Sequence, residues 1–151
     1  MTLANLLKIN RLQAFTPSAE GIQLLLESAA RNLKDAHLEG LSSDNRFDAA
    51  YKTIMQCAMI GLWANGYRTS TSQPGHHQTA LQALPHTLGL PNDSVIVFDA
   101  LRKQRNINDY EGNPVTEAAV AECIRQAEQL LAHTRKWLKA NHPNLLAKSK
   151  S

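Results

Sequence analysis

A chain of 151 residues with 43% hydrophobic, 19% charged and 5% aromatic content fits one domain with a real core, which excludes disordered and collagen-like chains and any need for a disulfide or metal staple. The formal net charge of +3 is a mild basic excess that permits contact with phosphate without arguing for it. Cys57 and Cys123 stand singly in apolar surroundings, without the paired spacing of metal sites, and read as reduced core thiols.

No run approaches the roughly 18 apolar residues that span a bilayer. Met1 to Ile9 is too short and too weakly basic for a signal peptide, so the expectation is a cytoplasmic protein with no membrane partner.

In chain order, Leu3, Leu6 and Leu7 cluster on a helical face, a short amphipathic turn or two within an N-terminal extension placed at residues 1–17. Phe15-Thr16-Pro17-Ser18 is a break, and Ser18 is placed to cap a helix with Glu20 in its first turn. Ile22, Leu25, Leu26, Ala29, Leu33 and Ala36 then recur at three and four residues, an amphipathic helix that ends near Gly40. Ser42-Ser43-Asp44-Asn45 caps a second periodic run from Phe47 to Leu62, closed by Asn65-Gly66. Tyr67 to Gly75 is polar and patternless and is assigned to a loop.

His76-His77 opens a shorter helix carrying Ala80, Leu81 and Leu84, bent at Pro85 and finished by Gly89. Pro91-Asn92-Asp93-Ser94 caps a fourth helix that runs to about Asp109; within it, Ser94 to Phe98, rich in β-branched residues, is the only strand suspect. Thr116, with Glu117 in the first turn, caps a fifth helix through Val120, Ile124, Ala127, Leu131 and Leu138. Asn141-His142-Pro143 stops it, ahead of a basic tail at 142–151 that holds Lys148 and Lys150. Five helices with short connections predict an all-α fold, an antiparallel up-and-down helical bundle of four to five helices over residues 18–141.

The densest polar chemistry lies between Leu101 and Asn113. Val95 and Phe98 share a helical side that Arg102, Arg105, Asn106 and Asp109 continue, so an apolar stripe turns polar without changing face and is expected to line a cleft. A guanidinium presents a planar fork that matches phosphate oxygens; the competing reading is that basic groups in a last turn answer the helix dipole. Asn106 reads as a phosphate ligand or as a partner for loose backbone groups. Tyr110 reads as a phosphate contact or as a ring packed over the helix end, and a phenol, protonated at neutral pH, makes a poor general base.

His76 and His77 are adjacent and point about 100° apart, unlike the i, i+4 pair of a zinc helix, so no metal site is expected. For each of them a cleft contact and a capping or surface role both stay open. His37 is placed against carbonyls at the end of its helix. No nucleophile elbow or phosphate-cradling glycine loop is present in the sequence.

Three stretches carry a resemblance. Arg-Phe-Asp-Ala-Ala-Tyr-Lys-Thr-Ile-Met at 46–55, the Gly75-His76-His77 helix start, and Leu-Arg-Lys-Gln-Arg-Asn-Ile-Asn-Asp-Tyr at 101–110 before a long last helix together resemble a HEPN (higher eukaryotes and prokaryotes nucleotide-binding) domain over about residues 18–140. The resemblance implies a bundle that dimerises and sets two copies of the motif across a shared cleft. Many such proteins are metal-independent endoribonucleases whose motif is an arginine, a polar residue after it and a histidine a few residues on.

Here Arg105 matches the arginine and Asn106 the polar position, while Tyr110 stands where the histidine belongs. The resemblance therefore implies binding of RNA or a nucleotide through Arg102, Arg105, Asn106 and Tyr110, with no cofactor, alongside a nucleotidyltransferase-type partner of the toxin–antitoxin kind and in a homodimer. A ribonuclease using Arg105 and Tyr110, or His77 as a substitute, is the first alternative. A non-catalytic protein-assembly module is the second.

Overall fold

The computed structural model describes residues 2–72 and 74–146, which leaves Lys148 and Lys150 of the expected basic tail outside the described residues. Three of the long helices begin where their capping chemistry puts them. Ser18, Ser42 and Thr116 stand in extended backbone, and each side chain accepts a hydrogen bond from the amide three residues on, at Gly21, Asn45 and Ala119. Those contacts satisfy donors that a helix start otherwise leaves orphaned.

They open helices α2 (Ala19–Ala36), α3 (Ser43–Ala64) and α7 (Glu117–Asn141), with a short α1 (Leu3–Lys8) ahead of them. Between α3 and α7 lie α4 (His76–Gln82), α5 (Leu84–Thr87) and the long α6 (Asn92–Glu111). Helix α6 starts after Pro91 without a side-chain cap, so the polar Asn92-Asp93-Ser94 cluster marks its start without supplying that bond. Gly112, at φ +74°, closes it in the left-handed conformation that glycine adopts without strain. Ser94 to Phe98 is helical, because burying Phe98 on the bundle outweighs the weak β preference of the residues around it.

Helix α3 is the axis of the bundle. Helices α2 and α7 pack along its length, and α4, α5 and α6 also pack against it. Its Phe47, Tyr51, Ile54, Ile60 and Leu62 are all fully buried. Thr53, also buried, turns its Oγ1 to donate to the Ala29 carbonyl at 2.9 Å, a polar link between α2 and α3. The fold is the all-α antiparallel bundle that the periodicity predicts. Both cysteines are free and buried, and burial pushes each thiol up to about 12, which leaves them inert as nucleophiles. Among the described residues no helix is long and apolar enough to cross a membrane.

Two short stretches fold as strands instead. Tyr67–Thr69, expected as loop, is strand β2, and it pairs antiparallel with β1 (Leu12–Ala14) in the register Leu12↔Thr69, Gln13↔Arg68, Ala14↔Tyr67. The ribbon continues past both ends, with Phe15 N donating to Gly66 O at 2.9 Å and Ser70 N to Arg11 O at 3.0 Å. Three-residue strands are too short to show alternation; a partner more than fifty positions away in the chain decides them. Leu6 and Leu12 both enter the core, so this N-terminal stretch is fastened to the bundle by apolar contact as well as by the ladder.

Candidate functional site

Helix α6 carries its residues from core to cleft along one side. Phe98 and Leu101 are buried, and one turn later Arg102, Arg105 and Asn106 are half-buried along the edge of an open hollow of about 450 Å³. Tyr110, at 90% exposure, stands at the rim with its ring open to solvent. The opposite wall is the start of α4, where Gly75, His76 and His77 face the arginines. Gly75 holds φ +79°, which turns the chain into the helix. All the residues singled out from the sequence, Arg102, Arg105, Asn106, Tyr110 and His77, thus share one cleft.

Two further residues belong to the site. Asp48 and Tyr51 lie one turn apart on α3, facing α6. Arg105 Nε donates to Asp48 Oδ1 at 3.2 Å and lies 3.6 Å from Asp109 Oδ2, while its Cζ sits 5.3 Å above the Tyr51 ring. Tyr51 and His77 also line a smaller hollow of about 260 Å³ on the other side of Arg105. Sequence periodicity treats Tyr51 as a core residue and passes over Asp48. The spacing of an aspartate three residues before a tyrosine was visible, but only the position of α6 gives it meaning.

The arginines are anchored without being fully neutralised. Arg102 Nε donates to Asp99 Oδ1 at 2.8 Å, and Lys103 Nζ lies 3.5 Å from the other oxygen of that carboxylate. Burial alone would raise the Asp99 carboxyl, but the Arg102 bond and the charges of Arg102 and Lys103 outweigh it and hold the group below its usual range. Lys52 Nζ sits 3.8 Å from Asp48 Oδ2. Four cations therefore meet three carboxylates across this network. Among the described residues, the hydrogen bonds given by Arg102 and Arg105 leave from Nε, so the outer nitrogens of both forks can serve a ligand.

On the α4 wall, the Tyr51 hydroxyl and His77 Nδ1 are 3.2 Å apart, and the His76 ring meets His77 edge-on at 4.8 Å between centroids. Burial is the main cause that pushes the Tyr51 phenol up to about 12, against the opposing charges of Arg105 and Arg102. Burial, then His76, Arg105 and Arg102, pull the His77 imidazole below its ordinary value. His37 is remote from the cleft and pairs through Nε2 with Glu128 Oε2 at 2.9 Å instead of with helix-end carbonyls. Among the described residues, no three histidine, cysteine or acidic side chains converge as a metal ion would need.

Comparison of the chain with protein-family models, with curated proteins and with solved structures finds no match.

Proposed function

We propose that the cleft between α4 and α6 binds the phosphate of RNA or of a nucleotide, in the manner of a HEPN-like bundle. The observation that carries this reading is the convergence of Arg102, Arg105, Asn106 and Tyr110 on one open hollow with two histidines across from them. Its volume, about 450 Å³, falls within the range of small-ligand clefts. Each guanidinium is held by a carboxylate through Nε and keeps its outer nitrogens for the planar, charge-assisted contact that phosphate oxygens accept. The exposed Tyr110 offers a face on which a base can stack.

The partner in this reading is first a second copy of the chain. Ile96, Ala100, Lys103, Ile107 and Tyr110 are exposed and follow one another at four, three, four and three residues, a stripe along the outer side of α6. Ile96 is 68% and Ile107 47% exposed, so a copy docked on this stripe would bury apolar area from both. Because Tyr110 belongs to both stripe and cleft, a copy docked there brings a second set of phosphate contacts alongside the first. A nucleotidyltransferase-type protein is the further partner that the HEPN likeness suggests.

The test is titration of a fluorescent single-stranded oligouridylate at rising salt. Binding should weaken with salt in the proportion expected for two or three neutralised phosphates, and Arg105→Ala should lose about tenfold or more while keeping its helical spectrum. Wild-type protein that ignores both the oligouridylate and ATP at low salt would overturn the reading. RNA cleavage that survives a chelator and disappears in Arg105→Ala would replace it with a ribonuclease.

A further inference from the structure

Tyr51 is 1% exposed, and among the described residues His77 Nδ1 is the only hydrogen-bond partner of its hydroxyl. A phenol raised to about 12 keeps its proton at neutral pH. A buried donor without an acceptor costs its full desolvation, which favours the O–H pointing at Nδ1. Nδ1 then offers its lone pair, and the one ring proton of a neutral imidazole has to sit on Nε2. Protonating Nδ1 as well would set two donors against each other. The surroundings agree: burial, the neighbouring His76 and the positive charges of Arg105 and Arg102 all disfavour a charged His77.

With Nδ1 committed to Tyr51, Nε2 is the ring nitrogen left for another partner, and His77 lines the cleft together with Arg102 and Arg105. We infer that His77 is an anion-binding residue of this cleft, presenting a neutral Nε2–H donor to a phosphate oxygen held by Arg102 and Arg105, with Tyr51 as the positioning residue that fixes the tautomer. The role rests on the reading of the cleft as a phosphate site. It also excludes another role: an Nε2 that already carries its proton has no lone pair with which to take one from a ribose hydroxyl. His77 binds, and it does not start cleavage.

Long-range proton–nitrogen correlation on the ¹⁵N-labelled full chain reads the tautomer directly. The His77 ring should show an unprotonated Nδ1 and a protonated Nε2 at neutral pH, and Tyr51→Phe should let the two tautomers mix. In the oligouridylate titration, His77→Ala should bind about tenfold more weakly. His77→Gln, whose amide places an N–H near the position of Nε2, should stay within about threefold of wild type. A wild-type ring protonated on Nδ1, or His77→Ala binding as wild type while Arg105→Ala fails, would overturn the role and leave the phosphate cleft standing. A wild type that does not bind at all removes the cleft reading and this role with it. If Tyr51→Phe does not fold, the wild-type spectrum and the two His77 variants still decide.

Discussion

Asp48 and Arg105, 57 positions apart in the chain, meet at 3.2 Å through Oδ1 and Nε. The contact ties α6 to α3 and aims the arginine at the cleft, but it also sets a negative charge beside any incoming phosphate. Asp48→Asn should therefore strengthen oligouridylate binding, by about two- to fivefold. Both side chains are about one-third exposed, at 30% and 36%, so the pair is worth at most about 1 kcal/mol of stability and a urea midpoint should move little. Weaker binding in this variant would mean that Asp48 serves mainly to orient Arg105.

Stability should follow the protonation of His77. Its imidazole is pushed below the ordinary value of 6.5, by burial first and then by His76, Arg105 and Arg102. As the pH falls through that ordinary value, the unfolded chain takes up the proton before the folded one does. The stabilisation from a neutral His77 is therefore complete above about pH 6.5 and is lost progressively below it. Between about pH 7.5 and about pH 5.5, the urea midpoint of wild type should fall further than that of His77→Gln. Parallel slopes would count against a depressed His77.

The outer stripe of α6 makes a separate prediction. Wild type should scatter light as a dimer, and Ile96→Glu combined with Ile107→Glu, which leaves the core untouched since both residues are exposed, should scatter as a monomer. A monomeric wild type, or a double variant that keeps the dimer mass, would remove this face as a contact between copies.

Gly61 of α3 lies against the end of α5. A Cβ there would come within 3.0 Å of both Leu88 Cγ and Thr87 Oγ1, and those residues are buried, at 1% and 2% exposure, with no room to retreat. Helix propensity alone would favour alanine by about 1 kcal/mol. Overpacking of about 1–3 kcal/mol should win, so Gly61→Ala is expected to lower the melting temperature.

These predictions lean on parts of the molecule that were not equally visible in the sequence. Helix starts were legible because Ser18, Ser42 and Thr116 act on their own first turns, within three residues. The polar face of α6 was legible because a helix repeats its geometry, so Phe98 already points where Arg105 will. The ribbon of β1 and β2 was not, since neither strand has a pattern of its own. Nor were the roles of Asp48 and Tyr51. Each is an ordinary member of α3 until α6 and α4 bring Arg105 and His77 against it.

The ribbon also settles how the two walls of the cleft are supported. The arginine wall stands on α6 and, through Asp48, on α3. The histidine wall stands on α3 and α6, against which α4 packs through buried Ala80 and Leu81, and Arg11 adds a tie ahead of it: its carbonyl accepts from Ser70 N at 3.0 Å and its Nη1 donates to the Pro74 carbonyl at 3.1 Å, one residue before Gly75 turns the chain into α4. The side chain of Arg11 thus works as a guy-rope, 63 positions from its fastening point. Cutting it would loosen the turn that leads into His76, while His77, bonded to Tyr51 one turn before the buried Leu81, keeps its distance from the arginines.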